Sequence, residues 1–313
     1  MGSNASFCRA VARGGVDKAV AVDMEFARAT RRAGMTPGHI GHLVQALRFE
    51  ADAAARLGRR QAVLARIVAP GDTPHRCHEG GFATEHVVDI ADAIDRVPGV
   101  RFAGVTSLPA QMFDHASGKG KPTPNLGTIA RAVEALRKAG GSEIEMNTPG
   151  TTSSEILPML AQMGSTQIEP GHGLTGTTPL HAVEDLPEVP AVVCLSEVSR
   201  LVGSAAFCFG GGLYIDPVFP DYPLKAVVSS EPMAAADRLA PVEIPALNAI
   251  DYYGMIDATG PVRPLVGDSV VFGFRPQAFV TRAYVVGRAG LSRGTPRVET
   301  ISDAFGRPAD WPL

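Results

Sequence analysis

Cysteine is scarce: Cys8, Cys77, Cys194 and Cys208 are the only four in 313 residues, and no two form a CxxC pair. Such scatter excludes a disulfide framework and a zinc knuckle, and implies reduced thiols. His75, Cys77 and His78 crowd together in TPHRCHEGG. Alternate ligands on a Gly- and Pro-flanked loop, with no fourth partner, do not make a metal site, so no metal is expected. There is no basic run, and a net charge of −3 with a pI near 6.2 gives no electrostatic reason to expect nucleic acid or an anionic membrane as partner. No stretch approaches the roughly 20 apolar residues of a membrane span, and MGSNASFCRAV lacks the apolar core of a signal peptide. A cytoplasmic protein is expected. Lysine is the last scarcity: Lys18, Lys119, Lys121, Lys138 and Lys225 are five of the 29 basic residues.

What the chain has is apolar content, 45% of it, enough for one large α/β domain and a smaller second one. From Ala5 to Pro170 short β-branched runs alternate with longer Ala- and Arg-rich segments, the pattern of parallel βαβ units. Strands are predicted near 18–23, 39–44, 62–68, 101–106, 143–147 and 166–169, which makes six units. The segments between them are amphipathic, and several stop at glycine. After Glu184 the texture turns to short strands with Gly and Pro punctuation, predicting an antiparallel β domain. The boundaries read as 1–184 and 185–313, with VEDLPEVP as linker.

Two loops stand out. Thr166–His181 reads TQIEPGHGLTGTTPLH, with Glu169 where a short strand gives way to glycines and threonines. An acid followed by free N–H groups and hydroxyls suits an anionic ligand that also carries a protonated ring nitrogen, such as a phosphorylated pyridine. Asn147–Ser154, NTPGTTSS, links the preceding strand to SEILPMLAQM, so that backbone N–H groups, hydroxyls and a helix dipole converge as they do around phosphate. The bland alternative is that both are ordinary hydroxyl-rich connections.

Glu169, Pro170, Gly171 and His172 resemble the Glu-Pro-Gly-Arg element of the fold-type III pyridoxal-phosphate (PLP) enzymes. GHIGHLVQ, FAGVTS, EPGHGLTGTTPLHA, LSEVS, FGGGLY, IDYYG and FVTR are similar to the YhfX branch of the alanine-racemase-like enzymes, and together they cover nearly the whole chain. The resemblance implies a (β/α) barrel of the alanine racemase type followed by a C-terminal antiparallel β domain, PLP as cofactor, a small amino acid as substrate, and a homodimer. Because such barrels have eight units, six imply an incomplete barrel. One missing unit is expected before residue 1 and the other between Gln45 and Arg60.

The resemblance also assigns roles. Glu169 faces the pyridine nitrogen and keeps it protonated. Gly150, Thr151 and Thr152 hold the phosphate, completed by Gly171 and His172. Arg66, in AVLARIVA, either pairs with Glu169 across the barrel or points outward past a helix. Ser107 lines the ring face or is a turn residue, and His42 matches the family's inner position or is a satisfied core residue. Tyr253, in IDYYG, is the aromatic hydroxyl near phosphate or substrate, able to act as an acid or base, or else an interface residue. Two positions depart from the pattern: Arg200 stands where His is expected and Cys194 where Tyr is expected. The greater departure concerns lysine. The family attaches PLP to a lysine closing the first barrel strand, whereas Lys18 opens its strand, about 16 Å from the mouth at about 3.3 Å per residue. A racemase or related Cα lyase or decarboxylase is expected by family. The alternatives are a shortened, non-catalytic PLP or phosphate-metabolite binder, and an interaction protein that dimerises through the β domain. The chain as written is expected to racemise little.

Overall fold

The computed structural model describes residues 18–20, 36–39, 51, 54–55, 58, 60–76, 78–209, 224–231, 237–245, 253–273, 284–303 and 307–310. They form two compact units. One comprises the described residues up to Thr152, Ile156–Pro170 and those of 278–313; the other comprises Ser153–Glu155 and those of 171–277.

In the first unit β1 (Lys18–Val20) pairs in parallel with β2 (Thr36–His39). Of the strand predicted over 39–44 only His39 is described, as the last residue of β2, and the rest, His42 included, lies outside the described residues. A four-stranded parallel sheet follows, in the order β4 (Phe82–Ala83), β3 (Gln61–Val68), β5 (Val100–Thr106), β8 (Glu145–Asn147). Beyond it Asn147 bridges Gln167 in parallel, which marks the sixth strand position. The sheet is covered on both sides, so β3 reads as a nearly continuous apolar run. Ile67, Val105 and Met146 pack with Ile129, Val133 and Leu136 in one cluster. Val63, Ala65, Ile94 and Val100 form another.

Helices α1 (Val87–Asp95) and α2 (Pro124–Lys138) supply those apolar faces. Pro124 starts α2, where its missing N–H costs nothing, and Arg137 and Lys138 close it where the helix dipole favours cations. The helix α3 (Leu157–Gln162) adds buried Leu160. Between β5 and α2 the segment SGKGKPTP supplies β7 (Lys119–Pro122), paired antiparallel with β6 (Gln111–Asp114). Asp114 accepts bonds from the Ser117 N–H (3.2 Å) and hydroxyl (2.5 Å), which fixes the turn, and Lys121 pairs with the same carboxylate at 2.5 Å.

The second unit contains a closed antiparallel barrel of six strands: β9 (Cys194–Val202), β10 (Ala205–Phe209), β11 (Lys225–Ser229), β12 (Leu239–Glu243), β13 (Tyr253–Asp257) and β14 (Ser269–Phe272). Alternate residues point inward, and Ala206, Ala226 and Ala240 leave room for Phe272, Val198 and Ile256 in the small interior. β12 contains Pro241, a residue that weakens the strand signal of its own sequence. A hairpin of β15 (Val285–Ala289) and β16 (Arg297–Ser302) belongs to the first unit.

Cys208 is fully enclosed in the barrel, and burial pushes its thiol up to about 11. It is expected to resist a thiol-specific reagent at pH 8 in the folded protein and to react once urea unfolds the barrel. Labelling followed by peptide mapping checks this.

Candidate functional site

Parallel strands deliver their carboxyl ends to one edge of the sheet, the usual place for ligands in such folds. β5 ends at Thr106 and β8 at Asn147, which are register partners. The Asn147 side chain is completely buried. Its amide nitrogen donates to the Thr106 hydroxyl oxygen at 2.9 Å and to the Glu169 carboxylate at 2.6 Å. Burial raises the Glu169 carboxyl above its ordinary value, and the Asn147 bond opposes that rise. The Asn147 Oδ1 is buried with no hydrogen-bond partner among the described residues.

Beside this network, Arg66, Asp72, Ser107 and Asn125 line a cavity of about 210 Å³. The Asn125 amide donates to the Ser107 hydroxyl at 3.0 Å while its own oxygen accepts the Thr73 N–H at 2.9 Å. Asp72 is held by the Ala69 N–H at 2.8 Å and the Thr128 hydroxyl at 2.7 Å. Arg66 donates to the His78 carbonyl rather than pairing with Glu169, because the 74–80 loop carries that carbonyl over the end of β3. Burial lowers the Arg66 pKa, and the Glu79 charge works the other way. The Arg66 Nε is buried and unpartnered among the described residues.

Gly150 forms a parallel bridge with Gln111, and a Cβ there would stand 2.2 Å from the Gln111 carbonyl oxygen, so only glycine fits. The Thr151 N–H donates to that carbonyl at 3.2 Å, while the Gln111 amide donates to the buried Thr152 hydroxyl at 3.2 Å. Among the described residues no hydrogen bond engages the Thr151 hydroxyl, which leaves it available to a ligand. The Ser154 N–H, expected to serve phosphate at the start of the following helix, instead donates to Glu188. The Ser154 hydroxyl donates to the same carboxylate at 2.8 Å, and His181 Nε2 lies 4.0 Å from it. Burial works against the Glu188 charge, but the Ser154 bonds, with a bond to its own backbone and the nearby His181, together hold the carboxyl below its usual range.

Gly171 and His172 belong to the second unit, where the loop folds on itself. The His172 carbonyl accepts the N–H groups of Thr175 (3.3 Å) and Thr177 (3.0 Å), and the Thr177 hydroxyl lies 3.5 Å from the His172 ring. Tyr253 is in the same unit on β13, edge-on to Phe209 at 6.0 Å and stacked at 4.3 Å under the Arg200 guanidinium, which also covers Phe207.

Glu169 with its oxygen not bonded to Asn147, the buried unpaired Asn147 Oδ1 and the Thr151 hydroxyl fit the ring and phosphate of a pyridoxal cofactor. The described lysine side chains serve other ends: Lys121 pairs with Asp114, Lys138 with Glu134 at 2.6 Å, and Lys119 and Lys225 are exposed. No lysine lines the cavity among the described residues. Sequence reasoning missed Asn147, Gln111, Asn125 and Glu188. A polar Asn closing a buried strand was the available signal for the first; the others act through long-range contacts with no local signature.

No helix among the described residues is long and apolar enough to cross a membrane. Residues 4–179 match the alanine racemase N-terminal domain, and residues 193–298 match the YhfX-like C-terminal domain. The chain is 34% identical over 314 residues to the uncharacterised YhfX protein of Escherichia coli (strain K12), covering 92% of this chain and 78% of that one. Among solved structures, D-threonine aldolase from Filomicrobium marinum is similar with a TM-score of 0.59 at 15% identity, covering 98% of this chain and 80% of that one. Alanine racemase of Clostridium difficile 630 in complex with cycloserine gives 0.54 at 12%, covering 96% and 87%. Diaminopimelate decarboxylase from Helicobacter pylori complexed with L-lysine gives 0.55 at 13%, covering 95% and 84%. These neighbours share the fold, and the family is PLP-dependent. The chain belongs to the alanine-racemase-like family, with a YhfX-like C-terminal domain.

Proposed function

We propose that this protein is a PLP-dependent enzyme acting at the Cα of a small amino acid, as a racemase or lyase. The half-buried Glu169 carboxylate, fixed by Asn147 at the carboxyl ends of the strands, carries the reading. When bound, PLP supplies an electron sink for a carbanion at Cα. Glu169 would accept the ring N–H through the oxygen that Asn147 leaves free and so would hold a proton on that nitrogen. The Thr151 hydroxyl and Thr152 N–H would take the phosphate, while Gly171 and His172 are proposed as cofactor-binding by resemblance alone. Ser107 and Arg66, which line the cavity, would flank the ring. Tyr253 and His42 are the candidate proton carriers, and a cytoplasmic homodimer is the proposed assembly.

The lysine positions favour a second reading, that of a PLP or phosphate-metabolite binder without catalysis. Incubation with PLP and amino acids in deuterated water, with borohydride added to separate aliquots, separates the two. The enzyme reading expects α-proton exchange and a pyridoxyl group fixed on one of the five lysines. Reversible PLP binding without either supports the binder.

A further inference from the structure

We infer that Asn147 is the positioning residue that holds the Glu169 carboxylate ionised and in one orientation. The inference deepens the cofactor reading and rests on Glu169 being the group that meets the ring nitrogen.

Asn147 is itself immobilised. Its backbone pairs with Thr106 on one side and bridges Gln167 on the other, and its side chain is fully enclosed. An amide nitrogen carries two hydrogens and no acceptor. Both are spent, one on the Thr106 hydroxyl at 2.9 Å and one on Glu169 Oε1 at 2.6 Å. The bond to Glu169 is the shorter of the two, and a hydrogen bond to a carboxyl group is strongest when that group is anionic.

The orientation of the amide follows from Glu169 alone. The Thr106 hydroxyl can donate or accept and would tolerate either face of the amide. Flipped, the amide would set Oδ1 against Glu169 Oε1, two acceptors in contact. As oriented, Oδ1 is left buried without a partner among the described residues. A buried acceptor left unmade is costly and persists where its surroundings over-determine it. Here what over-determines it is the carboxylate. The residue type follows as well: Asp would repel Glu169, and Leu would leave the carboxyl unpaired. Among the described residues Asn147 is the one side chain that bonds Glu169, and no charged side chain acts on its ionisation.

The test is a titration of the full chain without cofactor, with glutamate labelled at the side-chain carboxyl carbon and read by NMR, for wild type and Asn147→Ala. The Glu169 signal is assigned by its loss in Glu169→Gln. Asn147→Ala is expected to move the Glu169 midpoint upward and to weaken PLP binding on the order of tenfold. Thr106→Val frees the amide without removing the donor, so a smaller shift in the same direction is expected; this variant decides the matter if Asn147→Ala does not fold. A merely structural Asn147 would lower the melting temperature and leave the midpoint unmoved, which overturns the inference. A shifted midpoint with unchanged PLP affinity supports the inference and counts instead against Glu169 as the ring partner.

Discussion

Glu169→Gln is expected to cost the protein its PLP chemistry while making the fold more stable at neutral pH. Glutamine has nearly the same shape and can still accept the Asn147 bond through its oxygen, so the site keeps its form. It cannot hold a proton on the ring nitrogen, and carbanion stabilisation through the ring is lost. Loss of one preorganised electrostatic partner costs about 100- to 1,000-fold in rate. The stability change has the opposite sign. Burial raises the folded-state pKa of Glu169 above its ordinary value of 4.5, so the folded state holds this proton more tightly than the unfolded chain does. Its contribution to stability is therefore fully present below about 4.5 and is lost as pH rises through the folded value. Glutamine stays neutral and escapes that loss. Melting curves at pH 4 and pH 8 should show a gap between variant and wild type that opens as pH rises. A gap that is constant or closes contradicts the burial of this charge.

Gly104→Ala is expected to have the largest effect on stability. A Cβ at residue 104 would lie 1.9 Å from the Glu145 carbonyl oxygen and within 2.7 Å of the Glu145 nitrogen, both backbone atoms of the neighbouring strand. No rotamer relieves such a clash, so β5 and β8 must part where Gly104 pairs with Glu145. Overpacking of this kind costs about 3 kcal/mol or more, a large share of the roughly 5–15 kcal/mol that holds a domain together. The same two strands carry Thr106 and Asn147, so the site should fail together with the sheet. Circular dichroism should record a midpoint lower by roughly 10 °C. A midpoint within about 2 °C of wild type would show that the strands are not packed as closely as described.

The parallel strands were legible because a sheet covered on both faces leaves uninterrupted apolar runs such as AVLARIV. Thr36–Gly38 of β2 were not read as strand because TPG carries Pro and Gly and no strand signal. β7, KGKP, has no β-branched residue and is made a strand by the Asp114 turn and by pairing with β6. Glu169 was legible from its motif, and its dependence on Asn147 was not, since the two are 22 residues apart and meet only when the strands align. The same holds for Ser154 and Glu188, 34 residues apart, where a carboxylate of the chain itself takes the N–H that local pattern assigned to phosphate.

The most direct test is a crystal structure of the protein with PLP bound. The ring nitrogen is expected about 2.7–2.9 Å from the Glu169 carboxylate, with the phosphate at Thr151 and Thr152. A ring seated away from Glu169, or a Glu169 carboxyl still bonded to Asn147 alone, would contradict the assignment of this site to the cofactor.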